Sequence, residues 1–201
     1  MKFKEFRKKM VKNIFLTAEA HLVAFRDDPK HINVELHNWK KSGDIIQLKR
    51  GLSMFADQKY DIVEISKALC SPCYFSLEYV LNLHSIIPEA VFSYTLVTRK
   101  KTREFNTPVG NFMYHTIKKE AFTGFDATTL LAEPEKALVD YFYLKGWTMH
   151  DDEVFWEESR LDGSALNFKK VFRYAHLFKS KKLVSLLASF HHYAKSHKNY
   201  R

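Results

Sequence analysis

Apolar residues recur along this chain with two periods, and the change from one to the other falls early. Between Pro29 and Ser42, the residues Ile32, Leu36 and Trp39 stand at i, i+4 and i+7 and form one apolar stripe on an α-helix. Lys30, Asn33, His37, Lys40 and Lys41 fall on the other side. Asp28-Pro29 is a start signal: a carboxylate at the N-cap, then a proline at the first helical position, where no backbone donor is lost. Ser42-Gly43 is the stop, because glycine takes the left-handed C-cap conformation without a Cβ penalty. After Gly43 the period becomes alternating, with Ile46, Leu48, Leu52 and Met54 expected inward and Gln47, Lys49 and Ser53 outward. Arg50-Gly51 supplies the turn, so the pattern predicts a helix with one polar face followed by a hairpin with a cationic tip.

Upstream, Phe3, Phe6, Met10, Val11 and Ile14 are spaced as a first amphipathic helix, and Thr17 is placed to N-cap a second that carries Leu22, Val23 and Phe25. Three helices and a hairpin, with the short link Arg26-Asp27-Asp28 before the third helix, make up a winged helix-turn-helix. Residues 1–57 are expected to form that domain and to bind duplex DNA through Lys30, Asn33, His37, Lys40, Lys41, Lys49 and Arg50. A small helical unit with a hairpin and no such role is the other reading of the same pattern.

Beyond a polar linker at 56–60, residues 58–201 read as a mixed α+β domain, a small antiparallel sheet with helices around it. Asp61 to Leu69 is expected to be its first helix, and Ser76 is placed to cap another that buries Leu77, Val80 and Leu81. Val91 to Thr98, Phe105 to Thr107 and Phe112 to Ile117 are expected strands, with Val109-Gly110-Asn111 as a turn and Ala127 to Leu131 as a weaker strand. Glu133-Pro134 opens a helix that Gly146 ends, with Ala137, Leu138, Tyr141 and Phe142 as its apolar stripe. Helices at Phe168 to Tyr174 and Lys181 to Lys195 close the chain.

Of the 201 residues, 46% are hydrophobic and 15% aromatic, ample for packed cores. No apolar run reaches the length of a membrane span, and the basic N-terminus MKFKEFRKKMVKNIF lacks the apolar stretch of a signal peptide. A cytoplasmic protein with no membrane partner is expected. The net charge of +9 is uneven: residues 1–50 carry +6, residues 51–164 carry −6, and residues 165–201 carry +9. Basic ends suit a partner whose affinity comes from Lys and Arg displacing counterions from phosphates.

Three segments together resemble one family, the AbiEi-like antitoxins of type IV toxin-antitoxin (abortive infection) systems. They are the hairpin LKRGLSMF from Leu48 to Phe55, the block from Leu69 to Phe125 that holds an Ile-Pro-Glu turn and a basic strand-loop-strand, and AEPEKALVDYFYL from Ala132 to Leu144. The order of the blocks is more specific than any one of them. The resemblance implies an N-terminal domain that represses transcription at an operator upstream of its own gene. It also implies a C-terminal domain that opposes a co-encoded nucleotidyltransferase toxin, without necessarily forming a stable complex with it. Residues 146–201 match the family less clearly.

Other chemistry is sparse. Cys70-Ser-Pro-Cys73 has the spacing of half a zinc site or a redox pair, but no second C-x2-C or HxxxH follows, so two ordinary, partly buried thiols are expected, with no metal and no cofactor. His191, His192 and His197 read as solvated histidines. Glu133, Glu135, Lys136 and Asp140 come nearest to a nuclease-like set, yet Glu135 and Lys136 are adjacent and point to different sides of a helix. Lys136 and Asp140 are better read as an i, i+4 ion pair. There is no Gly-rich phosphate loop, no GxSxG elbow, and no Asp-x-Asp beside Gly163-Ser164, so a non-enzyme is expected. The alternatives are a nucleic-acid-processing enzyme targeted by a winged helix, and a ligand-responsive repressor. Arg99, Lys100, Lys101 and Arg103, flanked by Tyr94, Phe105, Phe112 and Tyr114, together with Lys179, Lys181 and Lys182, mark a second surface for RNA or a partner, or else plain solvated loops. The acidic stretch from Asp151 to Glu158 is expected either to pack near the basic tail or to repel DNA.

Overall fold

The computed structural model describes residues 1–24, 29–150 and 152–197, with backbone alone at Pro29 and Lys30. The caps and link expected at Arg26 to Asp28 therefore lie outside the described residues, as do Phe25 and Asp151. The fold is mixed α+β, with nine α-helices and two small sheets among the described residues. It divides into two units, Met1–Ser71 with Phe105–Asn111, and Pro72–Glu104 with Phe112–Arg201.

In the first unit, α1 (Phe3–Lys9) is followed by β1 (Ile14–Leu16), α2 (Thr17–Val23), α3 (Pro29–Ser42), β2 (Ile45–Lys49), β3 (Leu52–Phe55) and α4 (Ile62–Leu69). The first helix is shorter than its spacing suggests. Met10 is extended, Val11 is 98% exposed, and Ile14-Phe15-Leu16 leaves the helix to pair antiparallel with Leu52, Ser53 and Met54. The continuous apolar run gains a ladder there that a fourth helical turn would not supply. The sheet order is β1-β3-β2.

This sheet is apolar on both faces. Phe15, Ile45 and Phe55 point to the helices, where they join Phe6, Ala20, Ile32 and Trp39 in one core. The Phe6 and Trp39 rings stack at 5.0 Å and those of Phe15 and Phe55 lie 4.9 Å apart, so aromatic contact fixes α1 and α3 against the sheet. Ile14, Leu48, Leu52 and Met54 occupy the opposite face and are also buried. Simple alternation does not place Ile45 inward. Ile45 and Leu48 stand three apart on β2 and so point to opposite faces, and both are buried because each face of the sheet is covered.

Thr17 is the first helical residue of α2 rather than its cap; the Glu19 carboxylate accepts from the Leu16 N–H at 2.8 Å and supplies the missing partner. That bond, more than the Lys12 ammonium, holds the Glu19 carboxyl below its usual value. Leu22, expected on the buried side, is 72% exposed, and Ala20 and Ala24 take the interior instead. At the other end of α3 the stop signal works as expected. Gly43 has φ +81°, its N–H bonds the Lys40 carbonyl at 3.3 Å, and the Asp44 N–H reaches the Trp39 carbonyl at 2.9 Å, a complete Schellman closure. No atom lies within 4 Å of a Cβ built at Gly43, so only the left-handed backbone resists a side chain there. Gly43→Ala should lower stability by about 1 kcal/mol, read as a lower urea midpoint with an unchanged slope.

The helix α4 begins where expected, with Asp61 accepting from the Val63 N–H at 2.8 Å, but it belongs to the first unit. The first unit runs on past the polar linker to Ser71.

After Ser71 the chain runs β4 (Cys73–Phe75), α5 (Leu77–Leu83), β5 (Ser93–Thr98), β6 (Arg103–Thr107), β7 (Gly110–Thr116), α6 (Pro134–Lys145), α7 (Glu153–Ser159), α8 (Phe168–His176) and α9 (Lys181–Ser196), with a short 3-10 turn at Lys119–Ala121; all of this belongs to the second unit except Phe105–Asn111, the β6–β7 turn and its flanks, which group with the first. The sheet order is β4-β5-β7-β6, and β4 pairs antiparallel with β5. Residues 127–131 do not form the weaker strand. The Asp126 carboxylate accepts from the Thr128 N–H, the Thr129 N–H and the Thr129 hydroxyl, which fixes a turn and leaves only isolated bridges at Leu131 and Ala132. The acidic stretch contains α7, whose Trp156 is 1% exposed and donates Nε1–H to Ser189 Oγ of α9 at 2.9 Å. It thus packs on the C-terminal helix.

Candidate nucleic-acid interface

The stripe of buried Ile32 and Trp39 with half-buried Leu36 sets the rotation of α3 about its axis, and that rotation decides which side chains face solvent. Asn33, His37, Lys40 and Lys41 are exposed, in agreement with the sequence pattern. The Lys30 side chain lies outside the described residues. Two of the exposed set are already oriented by neighbours. His21 of α2 donates Nε2–H to Asn33 Oδ1 at 3.0 Å, and Lys40 Nζ donates to Gln47 Oε1 of β2. The second bond ties the last turn of α3 to the hairpin and holds helix and sheet edge as one surface. Alternation marks Gln47 only as an outward hairpin residue, with no sign of this bond.

At the hairpin, Arg50 is exposed beside Gly51, whose φ of +79° permits the turn. Lys49 is different. It is half-buried, its ammonium donates to the Leu69 carbonyl at 2.6 Å, and it lies 5.1 Å from the centre of the Phe105 ring. A cation at the C-terminal end of α4 meets unsatisfied carbonyls and the negative end of the helix dipole. Lys49 therefore holds α4 within the first unit, a role invisible in the alternation of the hairpin.

The second basic surface lies in the other unit. Arg99, Lys100, Lys101, Arg103, Lys179, Lys181 and Lys182 are all exposed or partly so. Arg99 sits 5.3 Å over the Phe122 ring, and Lys118 donates to the Phe178 carbonyl at 2.6 Å, so the segment 118–122 links the two groups of cations. The aromatics between them do not form a stacking platform: Phe112 and Tyr114 are fully buried, and Tyr94 stacks on Phe112 at 4.8 Å. What this surface presents is charge without exposed rings.

The residues nearest to a catalytic set come together in the interior. Lys136 and Asp140 form an ion pair with both side chains 0% exposed, and Asp140 Oδ2 accepts from Tyr74 Oη and Ser76 Oγ at 2.8 Å each. Burial pushes the Asp140 carboxyl up and the Lys136 ammonium down, while each opposes the shift of the other. Ser76, expected as a helix cap, spends its hydroxyl on this carboxylate instead. Glu135 turns away and accepts from the Asn167 N–H at 3.1 Å, and Glu133 pairs with Lys170 at 2.9 Å. The four side chains thus serve three different contacts. Cys70 and Cys73 are buried and are not joined in a disulfide. Among the described residues, no three His, Cys, Asp or Glu side chains converge as metal ligands, and no helix is long and apolar enough to cross a membrane.

No protein-family model matches this sequence, and no curated protein matches it.

Proposed function

We propose that this chain is a duplex-DNA-binding autorepressor and an antitoxin acting in the cytoplasm against a co-encoded nucleotidyltransferase toxin. The first unit acts as a winged helix, with α3 as the reading helix and the β2–β3 hairpin as the wing. The observation that carries the DNA half is the order of the first unit, three helices with a β1-β3-β2 sheet, in which α3 keeps its apolar stripe inside and offers Asn33, His37, Lys40 and Lys41 beside the exposed Arg50. Asn and Lys side chains are of the type that meet base edges and phosphates in a major groove. The antitoxin half rests on the resemblance of the three sequence blocks to AbiEi-like proteins.

Binding by such a surface is dominated by phosphate contacts and weakens steeply with salt. In a gel shift, the full chain should retain the duplex from upstream of its own coding region in preference to an unrelated duplex, and should release it between about 50 and 200 mM salt. Equal retention of both duplexes overturns operator recognition. For the other half, co-expression with the neighbouring nucleotidyltransferase should restore growth, and failure to do so removes the antitoxin reading while leaving DNA binding intact.

A further inference from the structure

The second unit contains a cleft of about 680 Å³, a size that accommodates a small organic molecule. Ile87, Met113, Met149 and Phe155 supply apolar wall, and methionine sulfur makes favourable contacts with aromatic rings. A cleft of this kind takes its specificity from a few polar groups set in apolar surroundings, so the state of each polar group decides what it accepts.

The charged groups on the lining are already engaged or solvated. Lys145 of α6 approaches one oxygen of Glu78 at 3.5 Å, and the other, Oε2, is closed to solvent. Glu89 and Glu158 are exposed, where an ion pair contributes little. Tyr141 of α6 and His115 of β7 are different. Both are half-buried, line the cleft and form no hydrogen bond among the described residues. Neither the Tyr141 hydroxyl nor either imidazole nitrogen is closed to solvent, so these atoms are open to a ligand. Burial first, and then the carboxylates of Glu78 and Glu89, raises the Tyr141 hydroxyl. Burial also holds His115 below its ordinary value, with Glu78 and Lys145 acting on it in opposite directions, so the imidazole is uncharged at neutral pH. All three of these charged neighbours line the cleft, which places both polar ends among its own groups.

A neutral imidazole carries one donor and one acceptor, and a phenolic hydroxyl both donates and accepts. A ligand hydroxyl can engage the two residues at once, giving its proton to one and accepting from the other. A carbonyl could only accept, and a bare hydrocarbon would displace water from both and replace neither hydrogen bond. We infer that this cleft binds a small uncharged aromatic molecule bearing a hydroxyl, with its ring between Met113, Met149 and Phe155 and its hydroxyl between Tyr141 and His115. The inference does not depend on DNA binding, since every residue it uses lies in the second unit.

The test uses the full chain and three related probes: 4-ethylphenol, ethylbenzene and 4-ethylbenzoate. The phenol should shift the methyl resonances of Met113 and Met149 and bind roughly tenfold more tightly than ethylbenzene, the factor that two modest neutral hydrogen bonds supply. 4-Ethylbenzoate, an anion that can only accept, should bind more weakly than the phenol. Tyr141→Phe should weaken the phenol by about three- to fivefold, the share of one such bond, and leave ethylbenzene unaffected. Ala90→Trp, at an exposed position on the lining, should block all three and keeps the test decisive if Tyr141→Phe does not fold. Equal binding of phenol and hydrocarbon, a phenol affinity indifferent to Tyr141→Phe in a folded variant, or unchanged binding in Ala90→Trp overturns the site.

Discussion

Asp140→Ala is expected to lower folding stability by about 3–5 kcal/mol, the usual cost of breaking a buried ion pair. The carboxylate is fully buried, and removing it leaves the Lys136 ammonium, also 0% exposed, without its counter-charge. The hydroxyls of Tyr74 and Ser76 are deprived of their shared acceptor in the same step. At roughly 2–4 °C per kcal/mol for a chain of this size, thermal unfolding should shift down by about 10 °C. Asp140→Asn retains an acceptor for the hydroxyls but not the charge, so its stability relative to Asp140→Ala divides the loss between ion pair and hydrogen bonds. If Asp140→Ala unfolds within about 1 kcal/mol of the parent, well below the cost of an uncompensated buried charge, the network does not organise the unit.

The reciprocal variant behaves differently with pH. Burial raises the Asp140 carboxyl even with Lys136 beside it, and Lys136→Met removes the group that opposes that rise. A carboxyl whose folded-state pKa lies above its unfolded value stabilises the fold below the unfolded value, about 4, and that contribution fades as pH climbs toward the folded one. Lys136→Met should therefore be more stable in mild acid than at neutral pH, by urea unfolding. A flat or opposite dependence would show that the carboxyl stays charged without its partner.

Why this network is only half legible in the sequence is a matter of distance along the chain. Lys136 and Asp140 stand four apart on one helix, and such a pair ordinarily lies on a solvated face. Its burial is decided by Tyr74 and Ser76, on β4 and at the start of α5, whose hydroxyls give the carboxylate two further donors. Local signals suffice elsewhere. The closure of α3 at Gly43, the proline at the first position of α6 and the buried Leu77, Val80 and Leu81 of α5 all depend on neighbours within a turn. By contrast, Ile14-Phe15-Leu16 reads as helix until β3 is available to pair with it. Residues 127–131 read as strand until Asp126 captures their amides. The cleft around Glu78 has no sequence signature, because its polar groups come from α5, β7 and α6 and share no spacing.

The second large effect concerns the proposed DNA surface, where two adjacent basic residues should respond in opposite ways. Lys41→Glu combined with Arg50→Glu should weaken operator binding by roughly ten- to a hundredfold and reduce the salt slope by about one for each phosphate no longer neutralised. Both side chains are exposed, so thermal stability should stay near that of the parent. Lys49→Glu, one residue away from Arg50, should act first on folding, because its ammonium bonds the Leu69 carbonyl at the end of α4 and a carboxylate there would face acceptors of its own sign. Sequence alternation alone places Lys49 and Arg50 together as one cationic tip, whereas the geometry separates an anchoring lysine from a presenting arginine. Measuring binding and unfolding on the same variants distinguishes the two. If Lys49→Glu abolishes binding while stability is unchanged, Lys49 belongs to the DNA surface. If the Lys41 and Arg50 double variant binds as the parent does, α3 and its hairpin are not the face that meets the duplex.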